Sequence, residues 1–316
     1  MISSLLLASF ITLVQLNCEN LFDCHHDSLK QDTEFLPEAP RHWSPYRYWR
    51  KLDGIGRAIL SCGEADNDYN IPDIVALCEV ENDSVMRDLT KRSLLRNARY
   101  EYIMTDSPDE RGIDVALLYH EFSFAPICHS SIRVKPVEGM SPTRDILYVC
   151  GRIITDDTLH IFVLHAPSRR NGVRPSRRHR LAVASQLCMA IDSIKSANHL
   201  ANIIVAGDFN AYANDTSIAL ICKRGLSNVT SNAKGKNGAK ATYRYKGKWG
   251  SLDHILLSQN LCKLHYMSNI NDAMFLIEND ETYGGIKPKR TYNGYRYIKG
   301  GISDHLPLVV RLKLTR

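Results

Sequence analysis

The segment Ile203-Ile204-Val205-Ala206-Gly207-Asp208-Phe209-Asn210 runs an apolar strand into a glycine, then presents a carboxylate and a carboxamide two residues apart. Side chains two apart on extended chain point the same way, so Asp208 and Asn210 can converge on one point. A second ending of this kind is Gly300-Gly301-Ile302-Ser303-Asp304-His305-Leu306-Pro307, where Asp304 and His305 stand between a glycine turn and the apolar run Leu308-Val309-Val310. Acidic strand ends so far apart in the chain point to a divalent-metal and acid–base site rather than to a fold signal.

Three further apolar runs meet polar residues in the same way. Asp73–Leu77 closes on Glu79, Ile11–Leu16 ends at Asn17, and His160–Leu164 ends at His165. Asp253 lies where the core strand Leu252–Leu257 begins. Each ending alone is compatible with a turn former or a helix cap. Burying acids is costly unless they meet a metal, a cation or hydrogen-bond donors, so the recurrence calls for a common cause.

Around these endings, strands are expected at Tyr100–Met104, Asp114–Tyr119, Ile146–Ile154 and Leu308–Leu312 as well. Helices are expected at Pro45–Ser61, Ser84–Arg96 and Arg178–Ala197. Tyr48, Leu52, Ile55 and Ile59 form an apolar stripe on the first helix, as do Leu181, Ala184, Leu187, Ile191 and Ile194 on the last. Hairpin-like pairs argue for mixed, largely antiparallel sheets, unlike an all-parallel nucleotide-binding sheet. The predicted architecture is a four-layered α/β sandwich, two packed sheets flanked by helices. The loops near 213–241 and 278–301, rich in Gly, Asn, Lys and Tyr, are expected to be mobile and close to the strand ends.

The 316 residues suffice for one large core, and the ordinary composition excludes disorder. Net charge of +6 is compatible with an anionic substrate without requiring one. Nine scattered cysteines, an odd number without a CxxC pair, suggest reduced thiols rather than a disulfide framework. A zinc site from Cys24, His25 and His26 is disfavoured because adjacent residues cannot easily share one ion. The apolar N-terminus has no Lys or Arg after Met1 and leads straight into Asn17. Residues 1–9 therefore read as a short extension or signal remnant, and 10–316 as one domain. A cytoplasmic protein is favoured, secreted or periplasmic if the leader is a truncated signal. No other stretch is apolar enough to span a bilayer, and a monomer without stable membrane association is expected.

The chain resembles the endonuclease/exonuclease/phosphatase superfamily, the DNase-I-like fold of pancreatic-type deoxyribonucleases, abasic-site endonucleases and sphingomyelinases. The elements carrying the resemblance occur in order: Asn17-Cys18-Glu19-Asn20, Glu79, Arg111-Gly112-Ile113-Asp114, His165, Gly207-Asp208-Phe209-Asn210, Leu252-Asp253-His254 and Ser303-Asp304-His305. Cys78-Glu79-Val80-Glu81-Asn82 and His165-Ala166-Pro167-Ser168-Arg169-Arg170 are similar to a bacterial, endonuclease-like branch.

The resemblance implies a metal-dependent phosphodiesterase, most naturally a nuclease of low sequence selectivity with nucleic acid as its substrate. Glu79, with Asn17 and Asp304, would hold Mg²⁺ or Mn²⁺. Asp208 would position or deprotonate water, Asn210 would donate to the phosphoryl group, and His305 would act with Asp253 as an acid–base pair. His165 would contact phosphate or protonate the leaving group.

Arg111, Arg144, Arg169 and Arg170 are candidate phosphate contacts, with surface salt bridges as the alternative for the first two. Arg169, Arg170, Arg174, Arg177, Arg178 and Arg180 could form a basic rim. Arg290, Tyr292, Tyr295 and Tyr297 could stack on bases or pack on their own domain. His254, beside Asp253, leaves open which imidazole that acid serves. No aromatic wedge for an abasic site is identifiable, so a repair role is unsupported. The rival functions are a phosphatase or phosphodiesterase acting on inositol phosphates or lipid headgroups, and a non-catalytic binding module.

Overall fold

A computed structural model describes residues 9–65, 68–169 and 172–314. Residues 1–8 of the expected extension or signal remnant (1–9) and Arg170 therefore lie outside the described residues, as does the Arg174 side chain. Twelve strands build two six-stranded sheets. They are β1 (Ser9–Leu21), β2 (Ile74–Val80), β3 (Glu101–Met104), β4 (Asp114–Tyr119), β5 (Phe124–Ile132) and β6 (Ile146–Ile153). The second half contributes β7 (Thr158–His165), β8 (Asn202–Asp208), β9 (Leu226–Asn228), β10 (Asp253–Ser258), β11 (Tyr266–Ile270) and β12 (Leu308–Leu314). One sheet has the order β11-β12-β1-β2-β4-β3, the other β9-β10-β8-β7-β6-β5. Pairing is antiparallel except for β1 with β2 and β8 with β7.

Two helices cover the outer faces, α1 (Pro45–Ser61) and α2 (Val173–Ala197). The expected sandwich of two mixed sheets flanked by helices is thus the observed one. Strand β8 shows why its sequence reads as a continuous apolar run. Ile204 and Ala206 face the core shared by the two sheets, while Ile203 and Val205 face the core under α2 with Val183, Leu187 and Ile191. Both faces are covered, so alternation disappears.

The expected helix at Ser84–Arg96 is broken. A short α turn at Asp83–Arg87 passes into a wide turn at Asp88–Arg92 and a 3-10 turn at Leu94–Ala98. Ser93 is extended, its hydroxyl donates to Leu89 O at 2.5 Å, and the same oxygen accepts from Leu95 N–H at 3.1 Å. Such local side-chain bonds compete with the helical ladder. Strands β5, β9 and β11 and a helix at Thr216–Cys222 were not anticipated. No helix among the described residues is long and apolar enough to cross a membrane.

Candidate active site

Strand register sets the site. Asp208, the last residue of β8, is the direct partner of His165 on β7 and of Asp253 on β10. Directly opposed residues share a face, so these three polar groups stand side by side at one sheet edge. In the other sheet, register shifts occur after Asn17 on β1 and at Glu79 on β2. Bulges re-aim side chains at the ends of strands. Glu19, Asn20, Glu79 and Asn210 all have left-handed backbone, with φ of 49°, 57°, 61° and 47°. Four such non-glycine residues in one place mark a site whose geometry the fold enforces against local preference.

The two edges meet. Asn17 Nδ2 donates to Asp208 Oδ2 at 3.1 Å, joining the sheets. His165 Nε2 lies 3.6 Å from Asp208 Oδ2 and 3.8 Å from Glu79 Oε1. Glu79 Oε2 accepts from the Asn20 N–H at 2.8 Å. Asp208 Oδ1 accepts from the Asn210 N–H at 2.8 Å, and Asn210 Nδ2 donates to Ala166 O at 3.0 Å. His305 Nδ1 is 2.7 Å from Asp253 Oδ2, which also accepts from Thr242 Oγ1 at 2.5 Å. The imidazole paired with Asp253 is therefore His305. His254 turns away, with Nε2 2.9 Å from Ala211 O and Nδ1 3.0 Å from Asn228 Nδ2.

The electrostatics separate these groups. Burial pushes Asp208 up to about 7, reinforced by Asp253 and opposed by His305. Burial alone would lower His305, but Asp253, Asp208 and Asp304 outweigh it and hold the imidazole well above its ordinary range. His165 is driven well below its ordinary range by burial, then by Arg144, Arg111 and His305, so it is neutral at pH 7. Its Nδ1 is buried without a hydrogen-bond partner among the described residues. The acid Asp304 is lowered, because His305 and Arg290 overcome burial. Arg290 Nη2 donates to it at 2.7 Å.

The arginines divide. Arg111 donates to Asn20 Oδ1 and lies 3.9 Å from Glu79, at the site. Arg144 is buried, and its donors reach His165 O, Ala166 O and Asp109 Oδ2 at 3.2, 2.9 and 2.9 Å. In this structure it braces the backbone that carries His165. Arg169 lies over Tyr212, 4.3 Å from the ring centre. Arg180 is buried against Ser176 and Asp215, inside the proposed rim. Tyr292 and Tyr297 pack on their own domain, 5.6 Å apart, while Tyr295 is exposed. Beside Arg111 opens a cavity of about 350 Å³, lined among others by Ser141, Arg144, Ser168, Arg178 and His179.

Two residues went unassigned from sequence. Glu19 Oε2 accepts from Thr291 N–H at 2.6 Å, and burial raises this acid to about 7. Its alternation with Asn17 in the Asn17–Asn20 motif was the available signal. Lys51 Nζ, buried, donates to Glu19 O and Thr291 Oγ1 at 2.6 Å each and to Ile302 O at 3.1 Å. Three positions after Tyr48, it lies on the apolar stripe of α1, where a lysine is out of place.

Asp208, Asp253 and His305 also satisfy the spacing of a metal cluster. The Asp253–His305 ion pair argues against that use, since an imidazolium has no lone pair to offer. Carboxylate oxygens Glu79 Oε1 and Asp304 Oδ1 accept no hydrogen bond among the described residues and are the better candidates.

A model of the Endonuclease/Exonuclease/phosphatase family matches residues 12–314. No curated protein matches the chain. Among solved structures, truncated TDP2 of Caenorhabditis elegans superposes with a TM-score of 0.60 at 14% identity, over 96% of this chain and 98% of that one. A mannosyl-6-phosphatase of Bacteroides thetaiotaomicron gives 0.64 at 14%, over 96% and 100%. The human Nocturnin catalytic domain with bound sulfate gives 0.58 at 20%, over 98% of each chain. At these identities the superpositions establish the fold.

Proposed function

The chain belongs to the endonuclease/exonuclease/phosphatase family, and so to the metal-dependent phosphoric ester hydrolases, and we propose that it cleaves nucleic-acid phosphodiesters with low sequence selectivity. One observation carries the reading: Glu79, His165 and Asp208 converge from three strands beside the His305–Asp253 pair.

The donor set fits a hard divalent cation, Mg²⁺ or Mn²⁺, because Glu79 Oε1 and Asp304 Oδ1, which accept no hydrogen bond among the described residues, are carboxylate oxygens, as is the unpartnered Asp253 Oδ1. Glu79 and Asp304 would hold it and Asn17 would orient the shell. When bound, the cation supplies neutralisation of charge on the phosphate oxygens.

The chain's own groups do the rest. Asp208, raised towards neutrality by its burial, is suited to take a proton from water at physiological pH. Asn210 and Asn17 hold that carboxylate, and Asn210 is the proposed amide donor to the phosphoryl group. Charged His305, kept so by Asp253, would donate to the phosphoryl or leaving oxygen. Neutral His165 would contact phosphate, its ring fixed through the Arg144 brace. Arg111, 3.9 Å from Glu79, is proposed as a phosphate contact and Arg169 as a further one; Arg144 is proposed to serve phosphate only indirectly.

The small cavity beside Arg111 favours a second reading, a phosphatase for a compact substrate such as a sugar or inositol phosphate. A panel of plasmid DNA, RNA, phospholipid vesicles and sugar and inositol phosphates, run with Mg²⁺, Mn²⁺ or EDTA, decides. The proposal expects polymer cleavage that needs the metal and falls at least about 100-fold in His305→Ala. Turnover of small phosphates without polymer cleavage overturns it in favour of the second reading.

A further inference from the structure

Cys128 and Cys150 are direct register partners on the antiparallel strands β5 and β6. No other two of the nine cysteines are paired across a sheet among the described residues. Both thiols are free. Directly opposed side chains in an antiparallel pair have Cβ atoms about 4.5–5.5 Å apart. Closing a disulfide asks for only a small approach beyond that.

Opposed side chains lie on one face of the ladder, so the two thiols point to the same side, with Tyr148, two residues before Cys150, on that face as well. Tyr148 in turn lies 2.8 Å from His160 Nδ1, and His160 is the register partner of Cys150 on its other side. Cys128 is exposed and Cys150 is 8% exposed, so one thiol meets solvent and the other waits behind it.

We propose that Cys128 and Cys150 form a reversible thiol–disulfide site that reacts with small disulfides of the glutathione class. The exposed Cys128, as thiolate, attacks one sulfur of the small disulfide and expels the other as a thiolate. Cys150 then loses its proton and attacks the Cys128 sulfur of the mixed disulfide, releasing the second small thiol. Two protein thiols and one small disulfide become one protein disulfide and two small thiols, and the two electrons reside on the released thiols. Burial pushes the Cys150 thiol up, which is why Cys128 attacks first.

The bond would staple β5, which among the described residues pairs only with β6, to the body of the sheet. It would also close the loop from 133 to 145, whose Arg144 braces His165. The inference stands apart from the phosphoester reading, because thiol chemistry requires no hydrolysis.

The test uses the full chain in a buffer of oxidised and reduced glutathione, acid-quenched and counted for thiols in denaturant. The expected count falls from nine to seven, and digestion without reductant joins the peptides holding Cys128 and Cys150. The melting temperature rises by roughly several degrees and returns on adding reductant. Cys150→Ser is expected to stop at a glutathione adduct on Cys128, and Cys128→Ser to keep its remaining thiols. Nine persistent thiols, a bond through other cysteines, or a wild-type chain that stops at the Cys128 adduct each overturns the proposal.

Discussion

Replacing Lys51 by methionine separates two opposed effects at the site. Methionine keeps most of the stem's length and apolar packing, so a cavity contributes little. The lost ammonium makes three hydrogen bonds, to Glu19 O, Thr291 Oγ1 and Ile302 O. Ile302 O retains the Thr291 hydroxyl, 3.3 Å away. Glu19 O and one lone pair of Thr291 are then orphaned, at about 1–3 kcal/mol each.

Against this stands relief from burying a cation, an effect that can reach several kcal/mol. Burial does press the Lys51 amine below its usual range. Glu19, Asp304 and Glu79 oppose that pressure and lose their counter-charge in the variant. The carboxylates tip the balance, and Lys51→Met is expected to lose roughly 2–4 kcal/mol at pH 8.

The sign is checkable by pH. Glu19 is raised to about 7 by burial and Asp304, with Lys51 lowering it. Below that value Glu19 is protonated and needs no cation, so the deficit should shrink towards pH 5. Urea titrations of both proteins in EDTA, followed by far-ultraviolet circular dichroism, measure it. An unchanged or raised midpoint at pH 8 refutes the reasoning, as does a deficit independent of pH.

Gly207 has φ of 151°, and a Cβ there would lie 1.9 Å from Leu164 O, so Gly207→Ala should cost about 3 kcal/mol or more or prevent soluble folding; a midpoint within 0.5 kcal/mol of wild type, roughly the noise of surface substitutions, counts against the close strand approach. Asp253→Asn should lower kcat about 10²–10⁴-fold and move the alkaline limb of the rate profile to lower pH, because it removes the strongest support of the charged His305; a profile that keeps its alkaline limb in place would show that Asp253 does not set that charge. Asp208 titrates near 7 in the fold against 3.8 in the open chain, so the fold holds its proton more tightly and stability must fall as pH rises through that window. In EDTA, Asp208→Asn should flatten this fall by up to about 1.4 kcal/mol per pH unit, and superimposable curves would exclude Asp208 as the source.

Much of the candidate site was legible because its residues end apolar runs, and a strand end is visible in sequence even when its neighbours are not. Asp208, Glu79, His165 and Asp304 were read in this way. Burial of a single charge inside a stripe is harder to see, and Lys51 hid among the apolar positions of α1. Sequence alone reads Arg144 as a phosphate clamp and leaves out its protein partners, because these are chosen by tertiary contacts, here two carbonyls and Asp109. The edge strand β5 escaped for a related reason: most of its side chains are exposed, so no apolar alternation announces it.

The convergence itself follows from the two parallel pairs. A parallel pair needs a crossover, and each is supplied by a helix whose stripe was evident: α1 joins β1 to β2, and α2 joins β7 to β8. Parallel neighbours end at the same sheet edge, which brings Asn17 and Glu19 beside Glu79, and His165 beside Asp208. Antiparallel neighbours contribute their beginnings to that same edge. Strand β10 starts at Asp253 opposite Asp208, and β12 starts just after His305, antiparallel to β1. Four strand ends and two strand starts therefore meet along one line where the sheets face each other. Their polar groups cannot all hydrogen-bond within their own ladders, so they satisfy one another across the gap, as Asn17 does with Asp208 and Asp253 with His305. An insertion shifting β8 by one residue would turn Asp208 to the opposite face and undo the candidate site without removing a single one of its residues.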